Sequence, residues 1–161
     1  MTILCFNTKN VQTQLFEKMK KTLTIIALLF VGMTTYAQKT NISYESLPND
    51  AKDFININFP SVTPAVVLKD TETFDVEYEV RFNDGMKIEF SEDGEWKEVK
   101  NDINCLTFGF LPENIGKYLE NNHYGLCVKE IKRELKGFKV ELANDVEIIF
   151  DKNGKFKRYD D

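Results

Sequence analysis

The stretch that decides the fold is residues 78–90, which have the sequence YEVRFNDGMKIEF. Apolar residues alternate with polar ones on both sides of Asp84-Gly85, and this period of two predicts one buried and one solvent-facing side of a sheet. An Asp-Gly pair tolerates the positive φ angles of a tight hairpin turn. The stretch therefore predicts two antiparallel strands joined by a short turn, with the alternation extending back to Phe74.

The same pattern recurs 60 positions later, in residues 138–150 with the sequence FKVELANDVEIIF. Segments 47–55 and 111–119 also match each other, at an offset of 64, and carry apolar residues at helical spacing with a Pro near the start. Such internal similarity predicts that one supersecondary unit occurs twice.

Each copy is predicted to contain one helix followed by four strands. A four-stranded sheet under a single short helix is marginally stable by itself, so we expect the two copies to share one sheet. The predicted fold is therefore α+β, with two tandem α-β-β-β-β repeats forming an antiparallel sheet of eight strands and both helices packed on one face. The repeats are assigned to residues 44–100 and 109–161.

A secretory signal precedes the repeats. Met19-Lys20-Lys21 supplies a basic start, residues 23–33 are almost uninterrupted apolar, and Thr35-Tyr36-Ala37 places small residues before Gln38. The apolar run is too short for a helix that crosses a bilayer. We expect a periplasmic or secreted protein, without membrane insertion after cleavage between Ala37 and Gln38. The predicted segments are an extension from a misassigned start at 1–18, a signal peptide at 19–37 and a mature domain at 38–161.

The exported part of the chain is acidic. Without residues 1–37 it holds 17 Lys plus Arg and 25 Asp plus Glu, a net charge of −8. Proteins bind nucleic acids chiefly by neutralising phosphates with Lys and Arg, so nucleic acid is excluded as a partner. A protein of the cell envelope is the expected partner, and the chain itself is expected to be a monomer.

The sequence resembles the PepSY-like family, which is described as putative beta-lactamase-inhibitor-like. The resemblance rests on 47–55 with Asn58-Phe59-Pro60, on 78–90, and on the Asp-Gly-x-Trp motif of 93–96, and it spans about 44–159. It implies a small exported protein that uses its sheet to bind an enzyme. The second copy departs from the pattern at Asn144-Asp145 and at Phe156, and likeness of fold does not transfer function.

No pattern predicts catalysis. His123 follows the second helix, where a positively charged side chain interacts favourably with the helix C-terminus. We therefore expect a capping or surface role for it. Residues 92–94 and 151–154 resemble fragments of a calcium loop but lack its ligand spacing, so hairpin turns are expected there. We expect no enzymatic activity, no cofactor and no metal.

Two cysteines, Cys105 and Cys127, remain after export. In an oxidising compartment they could form a disulfide that fastens the linker between the repeats to the second repeat. Alternatively, they are separate thiols, with Cys127 a small buried hydrophobe. The sequence leaves both alternatives open.

The solvent-facing side of the sheet is the candidate protein-binding surface. Trp96 is a potential aromatic anchor, because interface hot spots favour Trp, although its repeat partner Phe156 also suits the core. We expect a non-catalytic binding module, an inhibitor of a hydrolase or peptidase if the resemblance holds; the alternative is a small-molecule or calcium-responsive sensor. The other predicted binding residues are Glu77, Glu79, Arg81, Lys87, Glu89, Lys139, Glu141, Glu147 and Ile149.

Overall fold

The computed structural model describes residues 16–20, 38–71 and 75–160. The chain divides into two units, Met1–Tyr36 and Ala37–Asp161. In the first unit, residues 16–20 form a helical turn whose side chains are exposed. Most of the predicted signal peptide, its cleavage residue Ala37 and the strand residue Phe74 lie outside the described residues.

The second unit contains one antiparallel sheet of nine strands that follow one another in chain order. This confirms the predicted α+β class. The strands are β1 (Gln38–Asn41), β2 (Pro64–Thr71), β3 (Val76–Phe82), β4 (Met86–Ser91), β5 (Trp96–Asn101), β6 (Val128–Glu134), β7 (Gly137–Leu142), β8 (Glu147–Asp151) and β9 (Phe156–Asp160).

Two α-helices interrupt the run of strands in this unit. Helix α1 (Asn49–Asn58) precedes β2, α2 (Glu113–Asn122) precedes β6, and a 3-10 turn occupies Tyr44–Ser46. A proline stands at the N-cap of each helix, where its missing N–H has no intrahelical partner to lose. The helices bury Ala51 and Ile55 from α1, and Ile115 and Leu119 from α2.

The hairpins form where the sequence pattern predicts them. Gly85, in the turn between β3 and β4, has a φ of +87° and donates its N–H to the Phe82 carbonyl. In the equivalent turn between β7 and β8, Asp145 has a φ of +62° and donates to the Leu142 carbonyl. An aspartate tolerates this left-handed conformation better than most residues, so the turn survives the departure from Asp-Gly.

The sheet has nine strands rather than the eight expected, because Gln38–Asn41 adds a strand at the edge of β2. The segment has no alternation of apolar and polar residues, so the sequence carried no strand signal there. Its pairing is antiparallel, with Lys39 opposite Asp70 and Asn41 opposite Leu68. The edge of the sheet is therefore the short polar strand β1 and not the longer β2, and short edge strands disfavour pairing with another chain.

The core lies on one side of this sheet. Alternate residues of the central strands are fully buried there, as the period of two predicts. Its largest completely buried side chains are Phe90, Phe150, Ile88, Ile115, Ile131, Leu142 and Ile148.

Candidate protein-binding face

The side of the sheet opposite the core is lined almost entirely by charged residues, and we call it the charged face. Strand register places these residues in rows across the sheet, because positions that point the same way on paired strands are neighbours. The charged face comprises Lys39, Asp70, Glu77, Glu79, Arg81, Lys87, Glu89, Glu98, Lys100, Glu130, Lys132, Lys139, Glu141, Glu147, Ile149, Arg158 and Asp160, together with Val66 and Leu68 of β2, which lie opposite Arg81 and Glu79.

Its centre is an ion-pair network where β5 meets β6, the boundary between the two halves of the sheet. Lys132 is the bridge: its Nζ lies 2.6 Å from a Glu130 carboxylate oxygen and 3.1 Å from one of Glu98. Lys87 lies 3.0 Å from Glu98, and Lys100 lies 3.1 Å from Glu130. We call these five residues and Glu89, which is 2.8 Å from Lys87, the junction network.

The two central carboxylates of the junction network are buried. Glu98 is 8% exposed and Glu130 is 6% exposed. Burial alone would raise the pKa of Glu130, but hydrogen bonds from Lys132 and Lys100 outweigh burial and hold that pKa below its usual value. Each of the two buried carboxylates has two lysine partners, so its charge is compensated and the network is a fixed part of the fold.

A second cluster lies at the β1 side of the charged face. Glu79 is only 7% exposed, because the side chains of Lys39 and Arg81 close over it. The Lys39 ammonium is 3.0 Å from its carboxylate, and the hydrogen bonds from Arg81 and Lys39 hold the pKa of Glu79 below its usual value despite burial. Glu79 was expected to be solvent-facing, and its burial under the side chains of Arg81 and of Lys39, which lies on the unforeseen strand β1, corrects that expectation.

The second half of the charged face is partly exposed. Lys139 pairs with Glu147 at 2.5 Å and lies 3.9 Å from Asp160. Ile149 and Glu141 are half-buried at neighbouring outward positions. The second half of the face therefore combines an apolar side chain with charges of both signs within one small area.

Trp96 does not belong to this face. It is 5% exposed and lies in the core, where its ring stacks on Phe54 at 5.8 Å and on Phe138 at 6.2 Å between centroids. The guanidinium of Arg133 covers it at 4.6 Å. Of its two predicted roles, the core role is correct and the anchor role is wrong.

The remaining predicted residues have structural partners. His123 is the C-cap of α2, and its Nε2 lies 3.2 Å from the Tyr159 hydroxyl. Cys105 and Cys127 form a disulfide. Among the described residues, no group of three or more His, Cys, Asp or Glu side chains is arranged to hold a metal ion.

The turn that resembled a calcium loop is an ordinary hairpin. The Asp151 carboxylate accepts the backbone N–H groups of Asn153 and Lys155, both at 3.0 Å. Both bonds go to Oδ1, and Lys157 pairs with Oδ2 at 3.2 Å.

Two grooves lie outside the charged face, around the linker between β5 and α2. The larger, about 600 Å3, runs between the linker and α2 and is floored by Leu106, Phe108 and Leu111. The smaller, about 260 Å3, lies between the linker, the end of α1 and the β3–β4 turn. No part of the sequence analysis pointed to either groove.

Sequence reasoning missed the centre of the charged face. Glu98, Lys100, Glu130 and Lys132 alternate with buried Val99 and Ile131, so their orientation was readable from the sequence. Their pairing was not, because it depends on the register of β5 against β6.

A family model described as "Putative beta-lactamase-inhibitor-like, PepSY-like" matches residues 76–158. Three crystal structures of bacterial periplasmic proteins share the fold. One from Bacteroides vulgatus, of unknown function, is 28% identical, with a TM-score of 0.71 over 77% of this chain and 100% of that one. A second protein from the same species is 31% identical, with a TM-score of 0.70 over 77% and 98%.

The third is described as a putative calcium-regulated periplasmic protein from Bacteroides thetaiotaomicron. It is 28% identical, with a TM-score of 0.72 over 76% of this chain and 97% of that one. No protein of curated function is significantly similar to this chain. In the part of the chain that the structure describes, no helix has the length and apolar character of a membrane span. The shared descriptions confirm the predicted periplasmic location.

Proposed function

Because this chain belongs to the PepSY-like family, we propose that it is a periplasmic, non-catalytic module that binds a protein partner. The observation that carries the proposal is the charged face, a nine-strand surface whose central carboxylates are fixed by lysines. Groups held in ion pairs on a rigid sheet present a constant charge pattern to a partner. General acid and base catalysis instead requires a group that is free to exchange its proton with a substrate.

We further propose that both helices cover the other side of the sheet, within a duplicated scaffold. Phe54 of α1 packs against Phe90 and Trp96. Tyr118 of α2 packs against Phe150 and Phe156 at equivalent places. These contacts support helices on the core side, which would leave the charged face open along its whole width.

The partner in this proposal is a hydrolase or peptidase of the envelope that the chain inhibits. The family description supports an inhibitor-like role. The second half of the charged face suits the first contact, because Ile149 offers apolar area beside Lys139, Glu141 and Glu147. Mixed charges around an apolar centre give a partner both orientation and desolvated contact area.

The mature protein is proposed to begin at Gln38, after removal of a signal peptide at 19–37. Residues 1–18 would then precede the true start. N-terminal sequencing of the protein recovered from the periplasm should give Gln38 first, and a chain that retains residues 19–37 would contradict the proposal.

Site-specific photo-crosslinking in living cells tests the binding role. A photoreactive residue at position 149 or 89 should give one discrete adduct, and the same residue at exposed Asp53 of α1 should not. The captured protein is then purified, and its affinity for the wild-type chain is compared with that for Glu141→Lys. We expect at least about tenfold weaker binding for the variant, because a rim charge is reversed.

Two results would overturn the binding role: equal adducts from both sides of the sheet, or no effect of Glu141→Lys on affinity. Inhibition is tested separately, by adding the chain to the purified partner and following hydrolysis of its substrate. Binding without inhibition would keep the module and refute the inhibitor.

One observation favours a second candidate, a calcium-responsive protein. The similar protein from Bacteroides thetaiotaomicron is described as calcium-regulated. A thermal melt of the wild-type chain in millimolar calcium, with magnesium as control, decides this point. A midpoint raised by calcium alone would support the calcium role, and an unchanged midpoint would remove it.

A further inference from the structure

Strand β9 forms an open edge of the sheet. It is the last strand in the sheet order, and of the described residues only β8 pairs with it. Its central residues Lys157, Arg158 and Tyr159 are exposed. The opposite edge is the four-residue strand β1, which is shorter and pairs with β2. An uncovered edge presents a row of unpaired N–H and C=O groups that can accept another strand.

Strand β9 is the positional equivalent of β5. Ile149 lies opposite Arg158 and Ile148 opposite Tyr159, just as Glu89 lies opposite Glu98 and Ile88 opposite Val99. Both pairs of strands also carry a register shift at the same place. The backbone of β9 therefore offers its outer edge in the way that β5 does.

In the structure, the outer edge of β5 is occupied by β6. Glu98 lies opposite Lys132, Val99 opposite Ile131, and Lys100 opposite Glu130. The pairing rule at this edge is acid to base, apolar to apolar and base to acid. The corresponding residues of β9 are Arg158, Tyr159 and Asp160, which require acid, apolar and base in return.

A second copy of β9 meets that requirement. We propose that the protein self-associates through antiparallel pairing of β9 with β9 of a second copy, with Tyr159 opposite Tyr159. Arg158 of each copy then lies opposite Asp160 of the other, so both charged pairs are complementary. A two-fold axis normal to the sheet relates the copies, and such an axis makes the interface self-complementary.

The register also extends the rest of the fold across the interface. A two-fold axis normal to the sheet keeps the charged faces of both copies on the same side, and so it joins them into one surface. Tyr159 lies on the core side, where its hydroxyl is 3.0 Å from that of Tyr118. The two Tyr159 rings would meet as a cross-strand aromatic pair. A five-residue edge buries little area, so the dimer should be weak and depend on concentration.

This inference and the monomer expected from the sequence predict opposite results in one experiment. The protein purified from the periplasm is followed by sedimentation velocity from micromolar to millimolar concentration. We expect the weight-average sedimentation coefficient to rise toward the dimer value. A constant monomer value over the whole range would overturn the proposal.

Charge exchange tests the register. Arg158→Asp gives an acidic edge and Asp160→Arg a basic one, so each variant alone should dimerise at least about tenfold more weakly than the wild type. An equimolar mixture of the two should associate, since every pair across the interface is again acid to base. The double variant R158D/D160R should also recover self-association.

The control is Lys136→Asp, which makes the same charge change as Arg158→Asp on the exposed turn between β6 and β7. It should dimerise like the wild type. Thermal melts at low concentration establish that each variant is folded. Dimers that persist in both single variants, or a mixture that stays monomeric, would refute the β9 pairing.

Discussion

The two halves of the sheet carry aromatic clusters at equivalent positions, and the ring on the last strand of each half is buried in the first half but only half-buried in the second. In the first half, Phe54 stacks on Trp96, which is 5% exposed. In the second half, Tyr118 stacks on Phe156 at 4.8 Å between centroids, and Phe156 is only half-buried. The first cluster is pure hydrocarbon and indole, whereas the second includes hydroxyl groups.

The difference arises from the place of each cluster in the sheet. Trp96 is closed on its outer side by residues of the second half, since Phe110 lies 5.1 Å away and the Arg133 guanidinium covers the ring. Phe156 lies on the last strand of the sheet, and among the described residues no further strand pairs with the outer edge of that strand. Tyr159 on the same strand is accordingly 46% exposed. Equivalent sequence positions thus acquire different environments because one strand is internal and the other terminal.

We expect the largest loss of stability from truncation of the buried indole side chain. Trp96→Ala should lower the free energy of unfolding by about 3–5 kcal/mol, because the surrounding rings cannot collapse into the cavity. Phe156→Ala, its matched control, should cost about 2 kcal/mol, because its site already opens to solvent. Urea unfolding of both variants measures the difference. Equal losses would show that internal and terminal positions are energetically alike.

The disulfide is a second difference between the two halves. The disulfide between Cys105 and Cys127 encloses α2, and among the described residues no disulfide encloses α1. Replacing both with Ser should lower the free energy of unfolding by about 3 kcal/mol, from the loop entropy restored to the unfolded chain. The same loss should follow reduction of the wild type, and reductant should leave the double variant unchanged. A variant as stable as the oxidised wild type would contradict this account.

Two glycines give a closely matched pair of smaller effects. A Cβ on Gly94 would lie 2.8 Å from Cβ of Pro48 and 2.9 Å from the Ala51 nitrogen, whereas one on Gly154 would lie 3.0 Å from Cβ of Pro112. Both residues have positive φ, so alanine is strained at either position.

We therefore expect Gly94→Ala to cost about 2–3 kcal/mol and Gly154→Ala about 1–2 kcal/mol. The additional loss of stability at Gly94 comes from the close backbone nitrogen of Ala51 in α1, because a helix backbone cannot move aside as a side chain can. Thermal unfolding of the two variants tests the order. A larger loss at Gly154 would show that the second helix is held more tightly than the first.

Most of the secondary structure that the two halves share was predictable from the sequence. The alternation in 78–90 and 138–150 gives the buried side of four strands, and Asp84-Gly85 and Asn144-Asp145 mark their turns. These signals are local, because strand period and turn conformation depend on residues that are adjacent in the chain. The equivalence of Trp96 and Phe156 was also visible.

The environment of each equivalent position was not predictable. Burial of Glu79 requires Lys39, which is 40 residues away and lies on a strand without a hydrophobic pattern. The junction network likewise depends on a strand pairing that brings Glu98 next to Lys132. Register between distant strands is set by the whole core, and no short sequence pattern encodes it.

The ion pairs predict a dependence of stability on pH. The pKa of Glu130 is lower in the folded protein than in the unfolded chain, so its ionised form stabilises the fold above about pH 4.3. This contribution disappears as the pH falls. Glu130→Gln should cost about 1 kcal/mol at pH 7, and this cost should shrink as the pH falls through the pKa of Glu130 in the folded protein.

Glu79→Gln is the matched variant at the β1 side, where the pKa of Glu79 is also lowered. It should show the same loss of effect with acid. Urea unfolding at pH 7, 5 and 3 supplies the free energies. A cost that persists undiminished at pH 3 would mean that packing, and not charge, accounts for the effect.

We expect the smallest effect on stability from a substitution at Tyr118, in the aromatic cluster of the second half. Burial and the hydrogen bond with Tyr159 raise the pKa of Tyr118 to about 12. Tyr118→Phe makes the second half resemble the first, where Phe54 stands, and should change the free energy of unfolding by only about 0.5 kcal/mol, because the lost hydrogen bond is largely exposed. Absorbance at high pH should lose the tyrosine that ionises near pH 12.

Tyr159→Phe separates the two causes of that raised pKa. The variant removes the hydrogen bond but leaves Tyr118 stacked on Phe156, so burial, the larger cause, remains. The pKa of Tyr118 should therefore fall only part of the way toward its ordinary value. A complete return to that value would mean that solvent reaches Tyr118 freely. The second cluster would then lie on the surface and would not be packed as part of the core. The two halves would differ in whether the cluster is packed at all, and not only in how much of it is exposed.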